Sequence, residues 1–164
     1  MGTSNGQSWD VICNDLEATR LVAGLLAVAL QAGDVVGLDG ELGAGKTHFV
    51  QAVAARLGFD PAQVTSPTFT LIQEYATAPP ICHLDAYRLH DSDEFLELGV
   101  DELLGGEVVC LIEWASRVAD VLPKDYLQLN FETLSETSRR ISFVTSGPRS
   151  FQLVELVRRA HGDE

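Results

Sequence analysis

The spacing of apolar positions changes repeatedly along the chain, and each change marks an element. Leu21, Val22, Leu25, Leu26, Val28 and Leu30 recur at near-helical spacing. This predicts a helix opened by the capping-box pair Asn14 and Glu17 and closed by Gly33 in a left-handed conformation. Val35-Val36-Gly37-Leu38 is short, β-branched and free of polar alternation, as a strand covered on both faces should be. A glycine-rich stretch follows, then a helix with Phe49, Val50, Val53, Ala54 and Leu57 on one face and Gly58 at its end. Residues 69–75 and 81–87 flank the turn Ala78-Pro79-Pro80 and read as an antiparallel hairpin.

Farther on, Asp91 and Glu94 predict the cap of an acidic helix carrying Phe95, Leu96, Leu98, Leu103 and Leu104, stopped by Gly105 and Gly106. Residues 108–112 form a second wholly apolar run that ends at Glu113-Trp114, and a short helix is expected from there to Leu122, before Pro123. Polar and apolar residues alternate over 126–132 and 140–145, which predicts half-exposed strands near a sheet edge. A last helix over 150–160 packs Leu153, Val154, Leu156 and Val157. Repeats, low-complexity segments and linkers are absent. The expected organisation is a polar leader and chain entry over 1–13, one domain over 14–160, and a tail over 161–164.

Composition narrows the function. With 164 residues, 46% apolar and 21% charged, the chain has the balance of one folded domain rather than of a disordered tail. A net charge of −13 and only two lysines, Lys46 and Lys124, argue against unaided nucleic-acid binding, which needs a stripe of cations to displace counterions from phosphates. Any role on RNA has to run through partner proteins. The longest apolar run, residues 21–30, is half of the ~20 residues that cross a bilayer, and residues 1–8 lack the basic start and apolar stretch of a secretion signal. No membrane association is expected. Cys13, Cys82 and Cys110 are far apart and odd in number, which suits reduced core thiols of a cytosolic protein.

Candidate chemistry concentrates in Gly40-Glu41-Leu42-Gly43-Ala44-Gly45-Lys46-Thr47. The stretch matches G-x-x-x-x-G-K-[ST] and stands between a buried strand and an amphipathic helix, the context in which such a loop holds phosphates. The glycines let backbone amides converge on an anion, and the following helix adds unpaired N–H groups and its positive dipole end. Lys46 supplies a cation for the β and γ phosphates, and Thr47 a hydroxyl for Mg²⁺. A nucleoside triphosphate is the expected ligand. Such a loop also needs a strand-end carboxylate on the Mg²⁺ side, for which Asp85 and Glu113 both qualify. His83 reads as a satisfied, partly buried histidine on a strand face shared with Asp85 and Tyr87. Ser66-Pro67-Thr68-Phe69 is equally a common turn composition or a hydroxyl-bearing sensor of the γ phosphate.

Taken in order, these residues resemble the bacterial TsaE family, the ATPase subunit of the machinery that makes threonylcarbamoyladenosine on tRNA. The resemblance spans roughly residues 14–132 and rests on the loop 40–47, Thr65-Ser66-Pro67-Thr68-Phe69, His83-Leu84-Asp85-Ala86-Tyr87-Arg88, Glu97-Leu98-Gly99 and Ile112-Glu113-Trp114. It implies an α/β fold, a single P-loop NTPase-like domain with a mixed, largely parallel sheet flanked by helices and an antiparallel hairpin. It further implies a cytoplasmic protein that binds and hydrolyses ATP with Mg²⁺, acts with TsaB and TsaD, and reaches tRNA only through that complex. By motif position, Thr47 and Glu113 are implied as Mg²⁺ ligands, with Asp85 orienting or activating water as a further candidate ligand. Trp114 is implied near the nucleotide, and Ser66 to Thr68 as a switch-like loop. His48 stands where the family commonly has a second threonine.

Two other readings share the loop. A P-loop small-molecule kinase needs an arginine-bearing lid and an acceptor pocket, and Arg139 and Arg140 make an unconvincing lid in the sequence. A nucleotide-gated binding module would use ATP and ADP to select partners without needing hydrolysis. Guanine specificity is disfavoured by the absence of Asn-Lys-x-Asp. No arginine finger is evident, so slow hydrolysis by the isolated chain and acceleration by partners are expected.

Overall fold

The computed structural model describes residues 7–67 and 71–162. The element order is β1 (Ser8–Cys13), α1 (Leu16–Ala29), β2 (Val35–Asp39), α2 (Lys46–Arg56), β3 (Ile72–Tyr75), β4 (Ile81–Asp85), α3 (Ser92–Glu97), β5 (Val109–Glu113), β6 (Leu127–Thr133), β7 (Arg139–Val144) and α4 (Pro148–His161). Among the described residues, the strands form one sheet in the order β1-β7-β6-β2-β5-β4-β3. Its centre, β6-β2-β5-β4, is parallel throughout, and antiparallel pairs close both sides. This is the mixed α/β sheet expected, with the β3–β4 hairpin at one edge.

The two faces of the sheet bury separate cores. Val36 and Leu38 of β2 join Leu26, Phe49, Val53, Leu153 and Val157 under α1, α2 and α4. Val35, one residue out of phase, joins Phe95, Val100, Ile112 and Val118 on the other face, as the two-residue strand period demands. All three cysteines are buried and free of disulfides.

Several local expectations shift. The cap of α1 is Asp15, not Asn14: its Oδ1 accepts from Ala18 N–H at 2.8 Å, while Glu17 faces the dipole from the first turn. The helix ends at Ala29, before Gly33. Gly33 keeps its positive φ of 99°, but it turns the chain into β2 and donates to Val108 O. The acidic helix is broken by left-handed Gly99 into α3 and a 3₁₀ turn over Val100–Glu102. The segment Ala115–Val121 is 3₁₀ with a break at Val118, not one regular helix. The predicted hairpin strands shorten to β3 and β4, with residues 68–70 outside the described part.

β6 lies inside the sheet between β7 and β2, rather than near an edge. The edge is β1, formed by Ser8–Cys13 in the stretch expected to be a polar leader. Trp9, Val11 and Cys13 alternate inward there, while Ile12 points out and is 51% exposed. That outward isoleucine and the polar residues before it hide the two-residue period. Residues 1–6 and 163–164 of the expected leader and tail lie outside the described part. In α4, Leu156 faces solvent instead of joining Leu153 and Val157 in the core.

Candidate nucleotide-binding site

The carboxyl ends of parallel strands are where an open α/β sheet binds ligands, and the register gathers the candidate residues there. Glu113 at the end of β5 pairs with Leu38 of β2 on one side and with Asp85 of β4 on the other. β2 runs directly into the loop 40–45 and α2. Two glycines in that loop are required by geometry. A Cβ on Gly40 would stand 2.8 Å from Phe131 O, and Gly45 holds φ at 102°, where L side chains are strained. Gly45 is also the N-cap of α2 and has no side chain to cap it, and among the described residues no other side chain accepts from the first N–H groups of the helix. The first N–H groups of α2 thus stand at a cavity lined by Gly45, Lys46 and Thr47, with no side chain of the described residues to receive them.

That cavity, about 410 Å³, is lined by Leu42, Gly43, Gly45, Lys46, Thr47, His48, Ser66, Asp85, Tyr87, Glu113, Trp114 and Arg139. Gly40 and Glu41 take part through their carbonyls, which accept from Lys46 Nζ. The ammonium also sits 4.4 Å from the centroid of the Trp114 ring, a cation–π contact. Burial pushes the Lys46 pKa down, while the charges of Glu113, Asp39, Asp85 and Glu41 oppose that shift. Trp114 itself is held at φ 60°, its N–H donating to Leu38 O at 2.8 Å, and the Tyr87 ring lies tilted against it with centroids 4.9 Å apart. Leu42, at 72% exposure, forms the outer lip.

Glu113 and Asp85 play different structural parts. Thr47 Oγ1 donates to Glu113 Oε2 at 3.2 Å. Asp85 lines the cavity and accepts from Tyr87 N–H at 2.8 Å, ending β4 two residues earlier than the sequence pattern suggests. Ser66 reaches the cavity, and Thr68 lies outside the described residues. His83 is fully buried and its Nε2 stands 2.7 Å from Glu113 Oε2, so it belongs to the site's support. Tyr75 Oη lies 2.8 Å from His83 Nδ1. Burial, and then the charge of Glu113, push the Tyr75 pKa up to about 12, so this hydroxyl keeps its proton at neutral pH.

Arg139 is the residue sequence reasoning undervalued. β6 runs parallel to β2 and β7 returns from the same end of the sheet, so the first residue of β7 lands beside the loop. Arg139 Nε donates to Ala44 O at 3.1 Å, and Nη2 approaches Gly43 O at 3.4 Å. Arg140 is turned away and pairs with Glu132. Beyond Arg139 lies a second cavity of about 260 Å³, lined by Asp15, Leu16, Thr19, Ala44, Gly45, His48, Phe131, Glu136, Thr137 and Arg139. It shares Gly45, His48 and Arg139 with the first.

The family model described as threonylcarbamoyl adenosine biosynthesis protein TsaE matches residues 13–141. The chain belongs to the TsaE family. It is 41% identical over 144 residues to the Bacillus subtilis tRNA threonylcarbamoyladenosine biosynthesis protein TsaE, covering 87% of this chain and 89% of that one. The protein of the same name from Rickettsia felis is 38% identical over 85% of this chain and 82% of its own. A crystal structure of Bacillus subtilis YdiB superposes with a TM-score of 0.80 at 34% identity, over 95% of this chain and 97% of that one.

The TsaE-family match stops before α4 and leaves most of β1 outside, whereas the structural likeness takes in nearly the whole chain. Within the matched region, the oxygens available to a cation are of the hard type Mg²⁺ takes: the Thr47 hydroxyl and the Glu113 carboxylate, with Asp85 alongside. Among the described residues no cluster of three or more His, Cys, Asp or Glu forms a cation cage. This donor set fits a cation whose remaining ligands are phosphate oxygens and water.

Proposed function

We propose that this TsaE-family chain is a Mg²⁺-dependent ATPase subunit acting in threonylcarbamoyladenosine modification of tRNA, together with TsaB and TsaD. The observation that carries the reading is the N-terminus of α2, which no side chain among the described residues caps and which opens with Lys46 and Thr47 on a cavity also lined by Glu113 and Asp85. Anions bind at such helix ends through free N–H groups and the dipole.

In this reading the amides of Gly43, Gly45, Lys46 and Thr47 hold the phosphate oxygens, that of Ala44 donating to Glu41 O. Lys46 exchanges the carbonyls of Gly40 and Glu41 for the β and γ phosphates. Thr47 and Glu113 would hold Mg²⁺, which when bound neutralises charge developing on the phosphates. Asp85 orients or activates the attacking water. Arg139, already against the loop, steadies the phosphate side, and the cavity beyond it, floored by Leu16 and Phe131, has room and apolar surface for the base. The protein is acidic, so tRNA is reached through the partners and not by its own surface. Among the described residues no helix is long and apolar enough to cross a membrane.

Phosphate release measured with and without TsaB, TsaD and tRNA tests this reading. Slow release alone and faster release with partners is the expected result. Equal rates would contradict it. Radiolabel passing from the γ phosphate into a small metabolite would point to a kinase, and full biological activity in Glu113→Gln to a nucleotide-gated module.

A further inference from the structure

Behind Glu113 runs a line of hydrogen-bonding groups that the phosphate chemistry leaves unexplained. The β3–β4 register sets Gln73 opposite His83 and Tyr75 opposite Ile81, so Tyr75 and His83 meet diagonally on one face. From the carboxylate outward, Glu113 Oε2 lies 2.7 Å from His83 Nε2, and His83 Nδ1 lies 2.8 Å from Tyr75 Oη. Tyr75 Oη is 2.8 Å from Gln73 Oε1, and Gln73 Nε2 donates to Thr65 Oγ1 at 3.2 Å. The first three side chains are almost wholly buried: Glu113 at 3%, His83 at 0% and Tyr75 at 4% exposure. The chain ends at Thr65, one residue before Ser66, which lines the same cavity as Glu113.

A buried polar chain of this kind is expensive unless every member is satisfied, and once satisfied it fixes orientation. A carboxylate has no hydrogen to give, so His83 Nε2 must carry the N–H that donates to Glu113. Both Thr47 and His83 converge on the same oxygen, Oε2, which leaves the other oxygen of Glu113 free of that pair. Histidines and carboxylates at cation sites are commonly held by such outer partners.

We propose that His83 is the positioning residue for the cation-side carboxylate, fixing Glu113 through Nε2 while Tyr75 sets the imidazole, and that Gln73 links this assembly to the segment around Thr65. The proposal rests on the ATPase reading for its kinetic test, but not for its spectroscopic one. In the assembled complex, His83→Leu should raise the Mg²⁺ concentration for half-maximal hydrolysis by about 10- to 100-fold. His83→Gln, which can still offer an N–H toward Glu113, should restore much of that loss, and Tyr75→Phe should show a smaller shift. ATP binding without metal, measured by calorimetry in EDTA, should stay at the wild-type value in all three.

An unchanged Mg²⁺ requirement in both His83→Leu and Tyr75→Phe would overturn the proposal, as would an equal loss of metal-free ATP binding. Should His83→Leu fail to fold, His83→Gln and Tyr75→Phe carry the same comparison. Independently of hydrolysis, ¹⁵N-edited NMR of the nucleotide-free protein should find a solvent-protected His83 Nε2–H that shifts in Glu113→Gln and in Tyr75→Phe. A ring protonated on Nδ1 alone, or exchanging freely with solvent, would refute the proposal even in a protein with normal ATPase activity. A wild type that never binds ATP would defeat the proposed function and leave this NMR result standing.

Discussion

Helices α2 and α4 both begin directly after a glycine, and for opposite reasons. Gly147 makes room for a cap: a Cβ there would lie 2.4 Å from Asp125 Cγ. Asp125 then accepts from Arg149 N–H at 2.7 Å and from Ser150 N–H at 3.0 Å, and Ser150 Oγ takes the N–H groups of Ser146 and Gly147. At Gly45 an added Cβ would meet only Arg139 Nε, at an ordinary contact distance of 3.9 Å. The left-handed φ of Gly45 turns the chain into α2 with no side chain of the described residues capping the helix, and a nearby lysine rests on backbone carbonyls. One helix end is finished by protein groups, and the other, among the described residues, is left without them, as the proposed phosphate site requires.

The contrast breaks most visibly at Lys46. Lys46→Ala should slow ATP hydrolysis by about 10²- to 10³-fold, as loss of one preorganised charge-stabilising group does, while the melting temperature in the absence of nucleotide stays near wild type. A variant with normal hydrolysis, measured by phosphate release, would remove α2 from the functional side of the comparison.

Asp125→Ala should do the reverse on a smaller scale. Losing the cap of α4 should lower stability by about 1–2 kcal/mol in urea unfolding, with phosphate release unchanged. The effect should depend on pH. Burial works to raise the Asp125 pKa, but hydrogen bonds from Ser150, the backbone N–H groups of Ser150 and Arg149, and the Arg149 charge hold it below its usual value. A depressed folded pKa gives stability that is present above the unfolded carboxylate pKa of about 4 and is lost as pH falls through the folded value. The gap between wild type and Asp125→Ala should therefore narrow only in acid.

What the sequence made legible was contiguous. The loop 40–47 is one unbroken motif, and β2 and β5 are short apolar runs whose burial on both faces leaves no alternation to misread. What it concealed depends on pairing between distant strands. Arg139 reaches Ala44 only because β6 and β7 return the chain to the loop 95 residues later. His83 meets Tyr75 and Glu113 only through the registers of β3, β4 and β5. At residue 14 the error is one position: Asn14 and Asp15 are both good caps, and the start of α1 at Leu16 selects Asp15. β1 was missed because Ile12 faces solvent on an edge strand, where alternation is least reliable.

The most direct test of the open helix end is a backbone ¹⁵N NMR titration with ATP and Mg²⁺. The amides of Gly43, Gly45, Lys46 and Thr47 should move strongly while those of Arg149 and Ser150 stay in place. Saturating nucleotide that leaves the residues 43–47 unmoved, or that moves the α4 amides instead, would contradict the account.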